Sequence, residues 1–149
     1  MELAIFFIIV QLTAMIGSLL FALIGDKIGI IKSIIITLLF WIMIIIAVYF
    51  TNDKTSYYII GGFAGTFLGA TQSLSRTLMS KLVPFNNKTE FFGFYALLDK
   101  TSTLVGPLTY GLIAWLTGSQ KTDVLFVGAF LITGIFLLKN VKEKKQYEN

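Results

Sequence analysis

Between Ile30 and Phe50 the only charged residue is Lys32, and the middle of the stretch reads Ile34-Ile35-Ile36-Thr37-Leu38-Leu39-Phe40-Trp41-Ile42-Met43-Ile44-Ile45-Ile46. A helix of this sequence has no polar face to offer water, and it matches the roughly 20 apolar residues that cross a bilayer core of about 30 Å. Similar stretches recur along the 149 residues, which are 56% hydrophobic and 13% charged with a mean hydropathy of +0.81. Lipid is the solvent such a composition fits. The length holds about five or six spans with short connections and leaves no room for a soluble catalytic domain.

The chain contains no cysteine and no histidine. That excludes disulfides, thiolate nucleophiles, cysteine or histidine zinc sites and imidazole acid–base catalysis. No catalytic residue, metal site or cofactor is expected. The formal net charge of +4 comes from lysines scattered between apolar runs and gathered in the tail. This is the pattern of cytoplasmic loops, not of a nucleic-acid-binding surface, so no nucleic-acid partner is expected. The N-terminus, Met1-Glu2-Leu3, has no basic n-region, and the apolar stretch behind it exceeds the about 7 to 15 residues of a signal-peptide core. It reads as a retained span.

The punctuation predicts an all-α membrane protein with about five transmembrane helices. The first covers Leu3 to Ile24 and is joined to the second, Ile30 to Phe50, by a polar turn Gly25-Asp26-Lys27-Ile28-Gly29. The third runs from Tyr57 to about Leu82 after the hydrophilic Thr51–Ser56 connection, and Val83-Pro84 breaks it. The fourth starts near Glu90, whose charge suits a helix N-terminus, and reaches about Leu116 with a kink expected at Gly106-Pro107. After Gly118-Ser119-Gln120 the fifth runs from a cap at Asp123 to about Leu138. Residues 1–138 therefore read as a transmembrane helical domain and 139–149 as a cytoplasmic tail.

Loop charge sets the orientation. One side collects Lys27, Lys32, Lys81, Lys88, Lys139, Lys142, Lys144 and Lys145, the other Lys54 and Lys121. The chain is thus expected to be a multi-pass cell-membrane protein with the N-terminus outside and the C-terminus cytoplasmic. Asn87-Lys88-Thr89 matches a glycosylation acceptor, but its loop falls on the cytoplasmic side.

The second and fifth helices are apolar nearly all round and read as lipid-facing, whereas the other three carry polar or small stripes. Gly61, Gly65, Gly69 and Ser73 recur at i+4 steps on the third helix, a stripe that lets another helix approach closely. Gln11, Met15, Ser18, Ala22 and Gly25 form a narrow polar-to-small face on the first. The lower third helix, Thr71-Gln72-Ser73-Leu74-Ser75-Arg76-Thr77, and Asp99-Lys100-Thr101-Ser102-Thr103 of the fourth are too polar for lipid.

Charge inside a membrane costs about 2.5 to 3.5 kcal/mol on insertion scales, so it faces a partner or a water-filled cavity. Arg76 lies six residues before Leu82 and Asp99 nine after Glu90, which places both about 9 to 14 Å from the cytoplasmic ends of their helices. The shared depth predicts that they pair. Lys100, about 100° round from Asp99, either faces a solute or counter-ion or snorkels to the headgroups. Snorkelling is the simpler account of Arg76 taken alone. Gln72, Thr66 and Gln11 either contact a solute or make interhelical hydrogen bonds.

Two stretches carry a resemblance. Ala22-Leu23-Ile24-Gly25-Asp26-Lys27-Ile28-Gly29-Ile30-Ile31-Lys32 resembles the cytoplasmic loop motif of the major facilitator superfamily, Gly-x-x-x-Asp-Arg/Lys-x-Gly followed by basic residues. Asp26, Lys27, Gly29 and Lys32 match, while Ala22 stands for the first glycine and Ile30 and Ile31 for basic residues. Further on, Gly69-Ala70-Thr71-Gln72-Ser73-Leu74-Ser75-Arg76, Pro84, Glu90-Phe91-Phe92-Gly93-Phe94-Tyr95, Lys100-x-Ser102 and Gly106-Pro107 look like the vacuole-effluxer branch of that superfamily. The resemblance implies equivalence to the last five helices of a twelve-helix fold, and hence a C-terminal part of a secondary transporter of a small solute, amino acids among the candidates, working by alternating access.

It also implies a gate at Gly25, Asp26, Lys27, Gly29 and Lys32, and a path near Gln11, Thr66, Gln72, Arg76, Asp99 and Lys100. Five helices lack one wall of such a path, so activity alone is not expected. A missing N-terminal half or a homo-oligomer would have to cover the polar faces. The rival readings are a self-associating structural or pore-forming membrane protein, or an inactive truncated remnant.

Overall fold

A computed structural model describes residues 2–84, 87–118 and 120–141. Five helices follow in chain order: α1 (Glu2–Ile28), α2 (Ile30–Phe50), α3 (Lys54–Leu82), α4 (Lys88–Thr117) and α5 (Gln120–Lys139). Among the described residues α1 and α2 are long and apolar enough to cross a membrane by length and composition.

The connection between α1 and α2 is tighter than expected. Helix α1 continues through Gly25, Asp26, Lys27 and Ile28, and the break falls on Gly29 alone, with φ 96°. The Gly29 N–H still donates to the Gly25 carbonyl at 3.0 Å, keeping the last turn closed. The Gly29 carbonyl then accepts from the Ser33 N–H at 3.1 Å and the Ser33 hydroxyl at 2.9 Å, opening α2. A positive φ is accessible to glycine without a Cβ clash, so one residue suffices.

Other boundaries shift for identifiable reasons. Helix α3 begins at Lys54 instead of Tyr57 because the Asp53 carboxylate accepts the Ser56 N–H at 3.1 Å, a side-chain cap inside the polar connection. Helix α4 starts at Lys88, leaving Glu90 in its first turn, and continues through Pro107. Gly118 ends it in the left-handed conformation, its N–H on the Ala114 carbonyl at 2.9 Å. Helix α5 starts at Gln120, so Asp123 lies within the helix and is not its cap. The Asp123 side chain and the tail beyond Val141 lie outside the described residues.

Helices α1 and α3 form the most extensive seam and run parallel. Opposite Gly61 lies Phe6, opposite Gly65 lie Val10 and Thr13, and opposite Gly69 lies Ala14. A Cβ at Gly69 would overlap the Ala14 backbone, and one at Gly17 the Thr66 backbone. At Gly65 and Gly69 the stripe is thus a contact with the α1 backbone, while Gly61 seats the Phe6 ring, the close approach that lets packing hold helices together where water supplies no driving force.

Helix α2 lies across α3. Its Ile30, Ile34 and Leu38 bury against Leu74 and Leu78 of α3, with Phe21 of α1 and Leu131, Ile135 and Leu138 of α5 packed around them. Phe67 of α3 stacks on Phe40 of α2 (centroids 4.4 Å apart) and meets Phe21 of α1 edge-on (5.7 Å). The Trp41 indole N–H reaches the Thr71 hydroxyl at 3.4 Å. Helix α2 therefore divides its surface between the core and an exposed face of Leu39, Phe40, Met43, Ile46 and Phe50, instead of facing lipid on most sides. A uniformly apolar sequence carries no stripe from which that division could be read.

Helix α5 joins α2 to α4, while α3 and α4 touch least of all the packed pairs. The start of α2 and the ends of α3 and α5 meet in one cluster, so Lys27, Lys32, Lys81 and Lys139 sit at helix ends on one side of the bundle. At the opposite end Lys54 Nζ lies 2.6 Å from Glu2 Oε1, and the Tyr58 hydroxyl donates to the Glu2 carbonyl at 3.3 Å.

Candidate solute path between α1, α3 and α4

The polar stripes of α1 and α3 face each other along the lower part of their seam. Gln11, Met15 and Ser18 of α1 and Gly69, Gln72, Ser73, Arg76 and Thr77 of α3 line an open cavity of about 570 Å³. The i, i+3 and i+4 spacing puts these residues on one face of each helix. Gly69 makes room by bringing α3 against the α1 backbone just beside the cavity.

A second space of about 280 Å³ opens between α3 and α4, lined by Arg76, Phe92, Tyr95, Ala96 and Asp99. Arg76 thus borders both. Arg76 and Asp99 line the same cleft, as the depth match predicts, but no ion pair joins them. The poor packing of α3 on α4 keeps the two charges on opposite walls of the cleft. The cavity brings together amide, hydroxyl and guanidinium groups beside a carboxylate across α3, which can bind a polar or charged small molecule by hydrogen bonds and charge.

Thr66 is placed elsewhere. Its hydroxyl donates to the Gly62 carbonyl of its own helix at 3.3 Å, and its backbone packs against Gly17. Lys100 is exposed and lines neither space. Gly25 is buried against Leu74 and Ser33, whereas Asp26, Lys27 and Lys32 are exposed around the Gly29 break. Ser18, Ser73 and Thr77 line the cavity although the sequence reading did not single them out as path residues. The available signal was helical spacing: Ser18 lies seven residues, two turns, after Gln11, and Ser73 lies three before Arg76 and four before Thr77.

Among the described residues, two helices long and apolar enough to span a membrane, an open polar cavity and the loop motif at one end occur together. The family model for vacuole effluxers, described as "Vacuole effluxer Atg22 like", matches residues 1–149. The chain belongs to this family. An MFS-type transporter of Bacillus subtilis, YxiO, itself uncharacterised, is 28% identical over 143 residues, covering 96% of this chain and 33% of the relative. Autophagy-related protein 22 of Yarrowia lipolytica is 27% identical over 156 residues, 97% of this chain and 26% of the relative. The Kluyveromyces lactis protein of the same name is 33% identical over 84 residues, 56% of this chain and 17% of the relative. The chain spans a third or less of the length of these relatives. No solved structure matches it.

Proposed function

We propose that the chain forms the last five helices of a twelve-helix secondary transporter that moves a small solute, amino acids among them, by alternating access. Helices α1, α3 and α4 line the path and α2 and α5 support them. The observation that carries this reading is the convergence of Gln11, Gln72 and Arg76 on one open cavity between α1 and α3. The Gly29 break with the exposed Asp26, Lys27 and Lys32 around it serves as the cytoplasmic gate. The lysine-rich end of the bundle faces the cytoplasm and the Glu2–Lys54 end faces outward, as loop charge favours. A further set of helices, from an N-terminal half, supplies the opposite wall.

The test is solute flux in membrane vesicles carrying the chain with and without a co-expressed N-terminal half of the Bacillus relative. Flux of a labelled amino-acid mixture that requires both pieces and is lost in Asp26→Ala is the expected result. No flux together with a cross-linked symmetric homo-oligomer would overturn it in favour of a self-associating membrane protein. The apolar and polar surfaces left open on α4 are what favour that second reading.

A further inference from the structure

Of the 12 basic residues in the chain, Arg76 is the only arginine. Lysine serves wherever a loop end needs positive charge, whereas the planar guanidinium fork matches a carboxylate with two parallel hydrogen bonds. That fork sits where two polar spaces meet. The α1–α3 cavity is lined by amides, hydroxyls and Arg76, with no acidic residue, while the α3–α4 cleft sets Asp99 across from the same side chain. No hydrogen bond or ion pair joins the Arg76 guanidinium to a described residue.

We propose that Arg76 holds two carboxylates in alternation, that of a solute in the α1–α3 cavity and that of Asp99 in the α3–α4 cleft. This rests on the reading of the cavity as part of the solute path, and narrows the solute to one bearing a carboxylate. One guanidinium neutralises one carboxylate. A second carboxylate beside it leaves a net negative charge that the single guanidinium does not balance. The two spaces lie against different helices, so a rotamer that aims the fork toward α1 turns it from α4. Pairing with Asp99 draws α4 toward α3 across the least packed seam, and a solute carboxylate releases it. Cavity occupancy is thereby tied to the position of α4.

The lone arginine makes the test direct. The full 149-residue chain, in phospholipid nanodiscs, is treated with phenylglyoxal, and the Arg76 adduct is followed by intact mass, Arg76→Lys giving the background. Acetate is the probe and acetamide its uncharged control. Acetate slows modification and acetamide does not. In Asp99→Asn, which removes the competitor, the half-protecting acetate concentration falls about three- to fivefold, the scale of one partly exposed ion pair. Asp99→Glu keeps the wild-type value, and Asp99→Ser replaces Asp99→Asn should the latter fail to insert. Protection by acetate with the same half-point in wild type and Asp99→Asn overturns the alternation while leaving the transport path standing. No protection in either overturns the carboxylate site itself. Flux with a co-expressed N-terminal half, scored separately, decides the transport reading.

Discussion

The α1–α3 seam and helix α4 use glycine to opposite effect. In the seam, Gly17, Gly61, Gly65 and Gly69 each lie so close to the neighbouring helix that a Cβ would overlap it. On α4, Gly93, Gly106 and Gly111 have nothing within 4 Å beyond their own helix, and Trp115 is 80% exposed. A small residue strengthens a membrane bundle when a second backbone fits against it; elsewhere it only lowers helix propensity. The chain is therefore tightly joined on one side, while α4 hangs on α5 with its other faces open to lipid or to helices outside these 149 residues.

The largest effect belongs to the seam. Gly69→Leu drives a side chain into the Ala14 backbone, which cannot yield as a flexible side chain can. A loss of about 3 kcal/mol is expected, at the upper end for overpacking, read as a fall in thermal stability by circular dichroism in detergent micelles. Gly111→Leu enters open space and is expected to cost nothing, or to gain up to about 0.8 kcal/mol from the better helix former. Equal losses in the two variants would mean that the contrast between seam and α4 is wrong.

How far the sequence foretold this arrangement follows from the kind of signal each element carries. The glycine stripe at i+4 steps and the polar stripe through Gln72 and Arg76 gave the seam and the cavity, because a periodic stripe has a direction. Helix α2 gave no such direction: its isoleucines look alike on every side, so only tertiary contact separates Ile34 in the core from Met43 outside. The start of α3 was missed because the cap residue, Asp53, sits among turn formers that read equally well as loop. The pairing of Arg76 with Asp99 was inferred from depth alone. Depth fixes height along the bundle, not the gap between two helices, and α4 packs more on α5 than on α3.

A middle-sized effect sharpens the comparison at the top of the seam. Asp53→Ala removes the carboxylate that accepts the Ser56 N–H, with an expected loss of about 1 kcal/mol and faster hydrogen exchange at the Ser56 amide. Helix α4 has no counterpart to lose, since its cap residue Asn87 makes no side-chain hydrogen bond. Exchange at the first turn of α4 is expected to be faster than at the first turn of α3 in the wild type, and Asp53→Ala to bring the two closer.

The smallest effect comes from the contact that looks strongest by distance. Lys54 and Glu2 clasp α3 to α1 at 2.6 Å, but both side chains are about two-thirds exposed, at 65% and 69%. Water and salt screen such a pair. In this polar connection ahead of the apolar part of α3, the hydrogen bond to Glu2 raises the Lys54 pKa above its ordinary 10.5, against an opposing desolvation. A raised pKa means that the clasp contributes fully below 10.5 and is lost as pH climbs through the raised value. Glu2→Gln is therefore expected to lower the melting temperature less than Asp53→Ala does at neutral pH. The difference from wild type should shrink with added salt and disappear in strong alkali. A Glu2→Gln effect as large as that of Gly69→Leu, insensitive to salt, would mean that the exposed clasp and not the glycine seam holds α1 to α3. The cavity beside Gly69 would then widen whenever the clasp opened.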